Sequence, residues 1–366
     1  MAVSSMTGDP PRGIRRGAQA LALAYFLVFA ALLALVVGIA FLGNPQAGDP
    51  VVHLDLHLKR VAHAAPPAAP PPPQSAALPP ETAPPEQPAA SEQPPPPVSA
   101  GHVLVADPAL IEKTPQGPLP RIADDGTPPM RAYAAPVISA GKPRVAIVIN
   151  GLGISAKATS AALAGLPSGV TLAFAPYAND VQRWVTAARQ TGHEVLLEVP
   201  MEPYDFPDSD PGQYTLRAGV AEDSNTKRLV WALTRFTGYT GVTNLLGGRF
   251  LSDAGALEPV LTYLTRRGLL FYDNGSAVHS VAPDVAARVG STFTQATDTI
   301  DSIQSAMEID RRLSDLEATA RAKGSASGSG FLYPVTIDRV KTWAKGLSGR
   351  GFVLVPVSAI VSQPKQ

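Results

Sequence analysis

The chain has 366 residues, 30 Lys+Arg balanced by 30 Asp+Glu, and no cysteine. Balanced charge without a clustered basic face argues against a nucleic-acid partner. The absence of cysteine excludes disulfides, thiolate metal sites and a Cys nucleophile, and leaves the redox compartment open.

Residues 18–42 carry no charged side chain and are dominated by Ala, Leu, Val and Phe. At about 1.5 Å per residue such a helix reaches roughly 37 Å, enough to cross a hydrocarbon core of about 30 Å. Arg12, Arg15 and Arg16 precede the run, and Asp49 and Asp55 are among the first charges after it. The positive-inside rule then places residues 1–17 in the cytoplasm and the rest of the chain outside it. A cleaved signal peptide is the alternative, but its apolar region would span about 7–15 residues and end at a cleavage site. The expectation is a single-pass inner-membrane anchor with a periplasmic C-terminal domain.

Residues 43–142 lack helical or strand periodicity, and between residues 66 and 97 nearly half the positions are proline. Such a stretch cannot build a core and reads as a disordered, extended spacer of polyproline type, spanning up to roughly 100 Å. Two short apolar runs, 103–105 and 135–138, are candidates for an arm packed against the domain that follows.

Residues 143–361 are long enough for one sizeable core, and 362–366 form a short tail. Strand-like runs recur at 145–149, 170–176, 194–199, 240–245, 268–273 and 352–357, with a weaker one near 330–333. A helix-like segment follows the first strand. Further helical patterns cover 179–190, 225–236, 257–267 and 337–345. Another places Ile309, Leu313, Leu316 and Ala320 on one helical face. Alternating strands and helices predict an α/β fold with a parallel sheet, either doubly wound or closed as a barrel.

Four segments at strand ends are candidate sites, since parallel α/β folds build sites at the carboxyl edge of the sheet. Gly151-Leu152-Gly153-Ile154-Ser155-Ala156 fits a dinucleotide-binding pattern, but no acid ends the next strand, so a tight turn explains its glycines better. Glu198 lies inside an apolar strand and Glu202 begins the loop after it, followed by Asp205, Asp208 and Asp210. Carboxylates so placed suit acid–base work or a hard cation; a paired glutamate and a solvated loop are the plain alternatives. Arg249, after Asn244 and a Gly-Gly turn, could bind an anion, although pairing with Asp253 is the structural expectation. Asp273 opens an Asp-Asn-Gly-Ser turn at another strand end. His193 and His279, the only histidines of the domain, lack His-x3-His spacing, and no G-x-S-x-G elbow is present.

Taken in order, these segments resemble the divergent polysaccharide deacetylases. The resemblance rests on Leu152-Gly153, on Val170-Thr171-Leu172-Ala173-Phe174-Ala175-Pro176-Tyr177, and on Gly192-His193-Glu194-Val195-Leu196-Leu197. It continues through Pro200-Met201-Glu202-Pro203, Asp210-Pro211-Gly212, Gly241-Val242, Gly247, Arg249-Phe250 and Leu354-Val355-Pro356-Val357-Ser358. It implies a deformed seven-stranded (β/α) barrel and metal-assisted removal of N-acetyl groups from carbohydrate. It also implies Asp-Asp at the end of the first strand, where this chain has Asn150-Gly151. Glu198 replaces a metal-binding His, Leu245 replaces a second one, and Gly328-Ser329-Gly330 replaces a Gly-His-Pro motif.

An amide cannot accept a proton from water, and glycine has no ligand atom. Asn150, Glu198, Glu202, Asn244, Arg249 and Asp273 are therefore candidates for a vestigial site. No cofactor is expected. A divalent metal such as Zn²⁺ would need an atypical site, with Glu198 the one retained ligand. The leading expectation is a membrane-anchored deacetylase-like protein without the usual activity, binding cell-envelope polysaccharide or peptidoglycan. The rivals are a hydrolase using Glu198, Glu202 and Asp273, and an envelope-spanning scaffold or energy transducer.

Overall fold

The computed structural model describes residues 106–137 and 141–361. The apolar run 18–42, the spacer from 43 to 105 and the tail 362–366 lie outside those residues. Among the described residues no helix is long and apolar enough to cross a membrane.

The first strand, β3 (Arg144–Leu152), is buried along almost its whole length, as expected of a parallel strand covered on both faces. Ser155 caps the helix that follows, α1 (Ala156–Gly165), by accepting from the Ala158 amide. The chain then alternates β4 (Thr171–Phe174), α2 (Val181–Gln190), β5 (Val195–Met201) and α3 (Glu222–Leu233). Next come β6 (Gly241–Leu246), α4 (Ala254–Arg266), β7 (Leu270–Asp273) and α5 (Ala282–Val289). The last part comprises β8 (Phe293–Gln295), β9 (Asp298–Thr299), α6 (Ala306–Lys323), β10 (Ser325–Phe331), α7 (Pro334–Leu347) and β11 (Val353–Leu354).

Every pairing in this sheet is parallel, in the order β8-β7-β6-β5-β4-β3-β10-β9, with β11 beside the start of β3. Only Ala296 and Thr297 separate β8 from β9, so the two ends of the path belong to one broken strand. The Ala296 amide donates to Asp273 O (2.8 Å) and the Thr297 amide to Ser327 O (2.7 Å), joining β7 to β10. The result is a parallel α/β wall of barrel type, with seven strands once β8 and β9 are counted together and β11 is set aside.

Side-chain alternation sorts the strands into two cores. Val145, Ile147 and Ile149 face outward, among the residues packed with the helices. Ala146, Val148, Ala173, Leu196, Leu270 and Tyr272 form a second cluster inside the wall, completed by Val355 and Val357. The expected strand at 352–357 is mostly this plug: only Val353 and Leu354 pair, and Val357–Ile360 turn into a 3₁₀ helix.

Strand β10 is longer than the weak run near 330–333 suggests. Its Ser-Ala-Ser-Gly-Ser-Gly-Phe composition has few β-formers, and the reason lies in packing. A Cβ on Gly328 would sit 2.5 Å from Leu316 Cδ1 of α6, so the helix can lie this close only over glycine.

The spacer expected over 43–142 requires correction at its end. A short 3₁₀ turn (Pro108–Leu110) leads to an antiparallel hairpin of β1 (Ile111–Thr114) and β2 (Gly117–Pro120), followed by a helical turn, Pro129–Ala132. These pieces hold to the amino-terminal end of the wall. The Met130 amide donates to Gly268 O (3.1 Å), just before β7. Tyr133 is buried, accepts from the Asp107 amide (2.9 Å) and lies under the Arg189 guanidinium. Burial lowers the Arg189 pKa to about 10.

Glu194, fully buried beside the start of β5, joins this arm to the end of the chain. Its carboxylate accepts from the Ala135 amide (3.3 Å), the Ser358 amide (3.0 Å) and the Ser358 hydroxyl (2.5 Å). Ala135, in one of the expected apolar runs, is buried here.

Because hydrogen bonds to a buried charged group are worth about 1.5–3 kcal/mol, Glu194→Ala should destabilise the domain by about 3 kcal/mol. Urea unfolding checks the magnitude. Hydrogen exchange should show both 128–137 and 353–361 losing protection together.

Candidate functional site

The inward register that places Ala146 and Val148 inside the wall continues to Asn150. By the same alternation Leu196 leads to Glu198, and Leu270 to Tyr272. Thr243 is the β6 register partner of Glu198, and Phe331 that of Asn150. The carboxyl half of the interior is therefore polar.

Asn150 Nδ2 donates to Ser329 Oγ and to Gly330 O, both at 2.9 Å. Tyr272 Oη and Ser327 Oγ are 2.8 Å apart, and burial pushes the tyrosine pKa up. Among the described residues five buried side-chain atoms have no hydrogen-bond partner, and three of them belong to these strands: Asn150 Oδ1, Glu198 Oε2 and Thr243 Oγ1.

Glu198 is fully buried, and its Oε1 accepts from the Gly151 amide at 2.5 Å. Desolvation raises its pKa to about 8; the single amide bond opposes the shift without cancelling it.

Gly151 has φ +84°, and a Cβ built on it would collide with the Phe331 ring. The space that an aspartate would use at this position is filled by an aromatic side chain. Leu245 offers no ligand atom. Among the described residues no group of three or more His, Asp or Glu could hold a metal ion. The residues present do not fit the metal centre that the resemblance implies, and we derive no chemical step through one.

The other expected site residues fall into separate networks. Glu202 Oε2 accepts from the Ala218 amide (2.7 Å), and Oε1 lies 3.7 Å from Arg249. The expected Arg249–Asp253 pair is corrected: Asp253 instead caps α4 by accepting from the Ala256 amide (3.1 Å). Asn244 and Asn274 clasp each other across β6 and β7. The Asn274 amide donates to Asn244 Oδ1 (2.9 Å), and Asn274 Nδ2 to Asn244 O (2.8 Å).

Asp273, next in the chain after inward-facing Tyr272, accepts from the Gly275 amide, the Ser280 hydroxyl and Gln295 Nε2. It organises the turn after β7. Glu198, Glu202 and Asp273 are thus engaged by three different sets of partners, and the structure does not bring them together as one catalytic group. His193 is also structural: it is buried, with Nδ1 2.8 Å from Val170 O, and burial lowers its pKa. Gly151 and Gly153 form a tight turn, in which the Gly153 amide donates to Thr159 Oγ1 (2.9 Å).

Sequence reasoning missed the rim of this end. Because the strands of the wall are parallel, the loops after them share one face. Among the described residues nine large apolar side chains are exposed; five lie in these loops, and Leu246 and Met307 at the strand and helix ends that border them. Ile154 follows β3, Tyr177 follows β4, Tyr204 follows β5 and Leu246 ends β6. Val278 follows β7, and Ile303 and Met307 follow β9. The Leu246 backbone is left-handed (φ +58°), a strained conformation for leucine, and Asn244 Nδ2 donates to its carbonyl (2.7 Å). No periodicity announces such a rim, because each loop contributes only one or two residues.

The fold and this end together define a class: a parallel α/β wall of deacetylase-like barrel type, without a cluster of metal-ligating side chains among the described residues. The chain belongs to the divergent polysaccharide deacetylase family, which residues 147–361 match. It is similar to an uncharacterized protein of Agrobacterium tumefaciens C58 whose crystal structure is known. That comparison gives 42% identity and a TM-score of 0.66, covering 67% of this chain and all of the other. It is also similar to the uncharacterized protein YibQ of Escherichia coli (strain K12), 26% identical over 234 residues, or 64% of this chain and 71% of that one. An uncharacterized protein of Haemophilus influenzae is 25% identical over 204 residues, 56% of this chain and 72% of its own.

Glu198 binds its proton more tightly in the folded than in the unfolded chain. The stability linked to it is complete below the ordinary carboxyl value of 4.5 and is lost as pH rises towards about 8. Glu198→Gln should remove this dependence. Relative to wild type, its unfolding free energy in urea should rise between pH 4.5 and 8, by on the order of a few kcal/mol.

Proposed function

We propose that the protein is a membrane-anchored, periplasmic member of the family that binds cell-envelope polysaccharide or peptidoglycan without deacetylating it. The uncharged run 18–42 and the arginines before it support the location. Family membership supports a carbohydrate ligand.

The observation that carries the non-hydrolytic reading is the Phe331 ring seated against Gly151. Loss of one ligand would leave a vacancy that a single reversion could repair. Here a ring of the neighbouring strand occupies the space, and Glu198 accepts from the amide of the same residue.

The raised pKa of Glu198 is the one feature that favours a hydrolytic reading, since general acids are often tuned this way. Its carboxyl group has no exposure to solvent, so a substrate bond cannot reach it without rearrangement.

The purified domain, incubated with Zn²⁺ or Mn²⁺ and then dialysed, should retain no stoichiometric metal and release no acetate from N-acetylated chito-oligosaccharides. It should still bind these oligosaccharides or isolated peptidoglycan. Tight metal with turnover would sink the non-hydrolytic reading, and absence of any saccharide binding would sink the carbohydrate one. Gly151→Asp alone should cost about 2 kcal/mol or more in urea unfolding, from backbone strain and overpacking. Adding Phe331→Ala should recover part of the overpacking cost.

A further inference from the structure

Three unpartnered oxygens are drawn together inside the wall by a break in one ladder. Strand β3 slips its register against β4 between Ile149 and Leu152. The Gly151 amide, at the slip, donates to Glu198 Oε1 at 2.5 Å. Glu198 thus reaches from β5 past β4 to the residue that follows Asn150. Thr243 is the register partner of Glu198 on β6, so the two side chains leave adjacent strands on the same face.

Each of the three is closed off from solvent. Asn150 is 6% exposed, and Glu198 and Thr243 are 0% exposed. Asn150 spends its amide nitrogen on Ser329 Oγ and Gly330 O, which leaves Oδ1 unpartnered beside Glu198 Oε2 and Thr243 Oγ1. A buried polar atom without a partner carries its full desolvation penalty, and protein interiors relieve such atoms with ordered water.

The chemistry of the three oxygens sets what can join them. Asn150 Oδ1 only accepts, the Thr243 hydroxyl donates and accepts, and Glu198 Oε2 accepts when ionised and donates when protonated. The occupant must therefore donate and accept at once, and it must be small, because these atoms have no opening to solvent. Water meets both conditions. A cation would leave the Thr243 proton without an acceptor, and an apolar atom would leave all three oxygens unbonded.

We propose that the carboxyl half of the barrel encloses an ordered water molecule that bridges Glu198 Oε2, Thr243 Oγ1 and Asn150 Oδ1. Three bonds of this kind are what a buried water ordinarily makes. Through Asn150 the bridge continues to Ser329 and Gly330, so β3, β5, β6 and β10 share one hydrogen-bonded centre. The water belongs to the inner core, and its place does not depend on the saccharide-binding reading above.

Residues 106–366 suit the test, because the described part contains both cores and every strand partner of the wall. A crystal structure at a resolution that orders buried water should show a peak within about 2.7–3.2 Å of at least two of the three oxygens. An interior without that peak overturns the inference, as does a change of rotamer that bonds the oxygens to one another. Crystals soaked in rubidium chloride separate water from a cation: anomalous signal at the peak overturns it as well.

Thr243→Val gives the check in solution. Valine keeps the branched shape and strand preference of threonine and lacks its hydroxyl. With the water in place, the substitution takes away one of its partners, and the urea midpoint should fall by about half a molar. In a dry interior the same change would remove an unbonded buried oxygen and raise the midpoint. A midpoint that rises or stays where it was overturns the inference.

Discussion

The domain depends on strand β3. One edge pairs with β10 over seven consecutive residues, and the other takes β11 at Arg144–Val145 and then β4 from Val148 onward. Among the described residues no other strand has three neighbours. Its outward residues join the helices to the wall and its inward residues begin the inner core, so both cores meet on one segment. The carboxyl end of this strand carries Asn150 and Gly151, which couples the fate of the site to the packing of the fold. Whatever occupies position 151 must be compatible with Phe331, the residue β10 places beside it.

That coupling limits position 151. Phe331 lies against Gly151, and Glu198 accepts from the Gly151 amide. A side chain at 151 would displace the ring and crowd the Glu198 carboxyl. The interior also keeps polar atoms unpartnered, at Asn150, Glu198 and Thr243, although an apolar repacking could have removed them.

Much of this was legible in the sequence, for identifiable reasons. Strands such as β3 and β5 announce themselves because burial on both faces demands uninterrupted apolar runs. The departures from the pattern the resemblance implies, at Asn150, Gly151 and Leu245, were readable because chemistry depends on residue type. What the sequence hid depends on partners far along the chain. Strand β10 looked weak because its glycines serve the approach of α6, not strand propensity. Strands β8 and β9 were invisible because a broken strand of five paired residues carries no period. Asp273 looked like a site residue, but its carboxylate serves the turn that follows β7, the use its Asp-Asn-Gly-Ser sequence also suggested. Arg249 turned to Glu202 because Asp253 was already engaged at a helix start.

Glu194 has a geometric consequence. By holding Ala135 and Ser358 on one carboxylate, it gathers the incoming and outgoing chain at a single pole of the barrel. The opposite pole, with its exposed Val278 and Met307, is left without either end of the domain. The described chain therefore enters and leaves this body at one end, and changes in the loops at the other end need not disturb either junction.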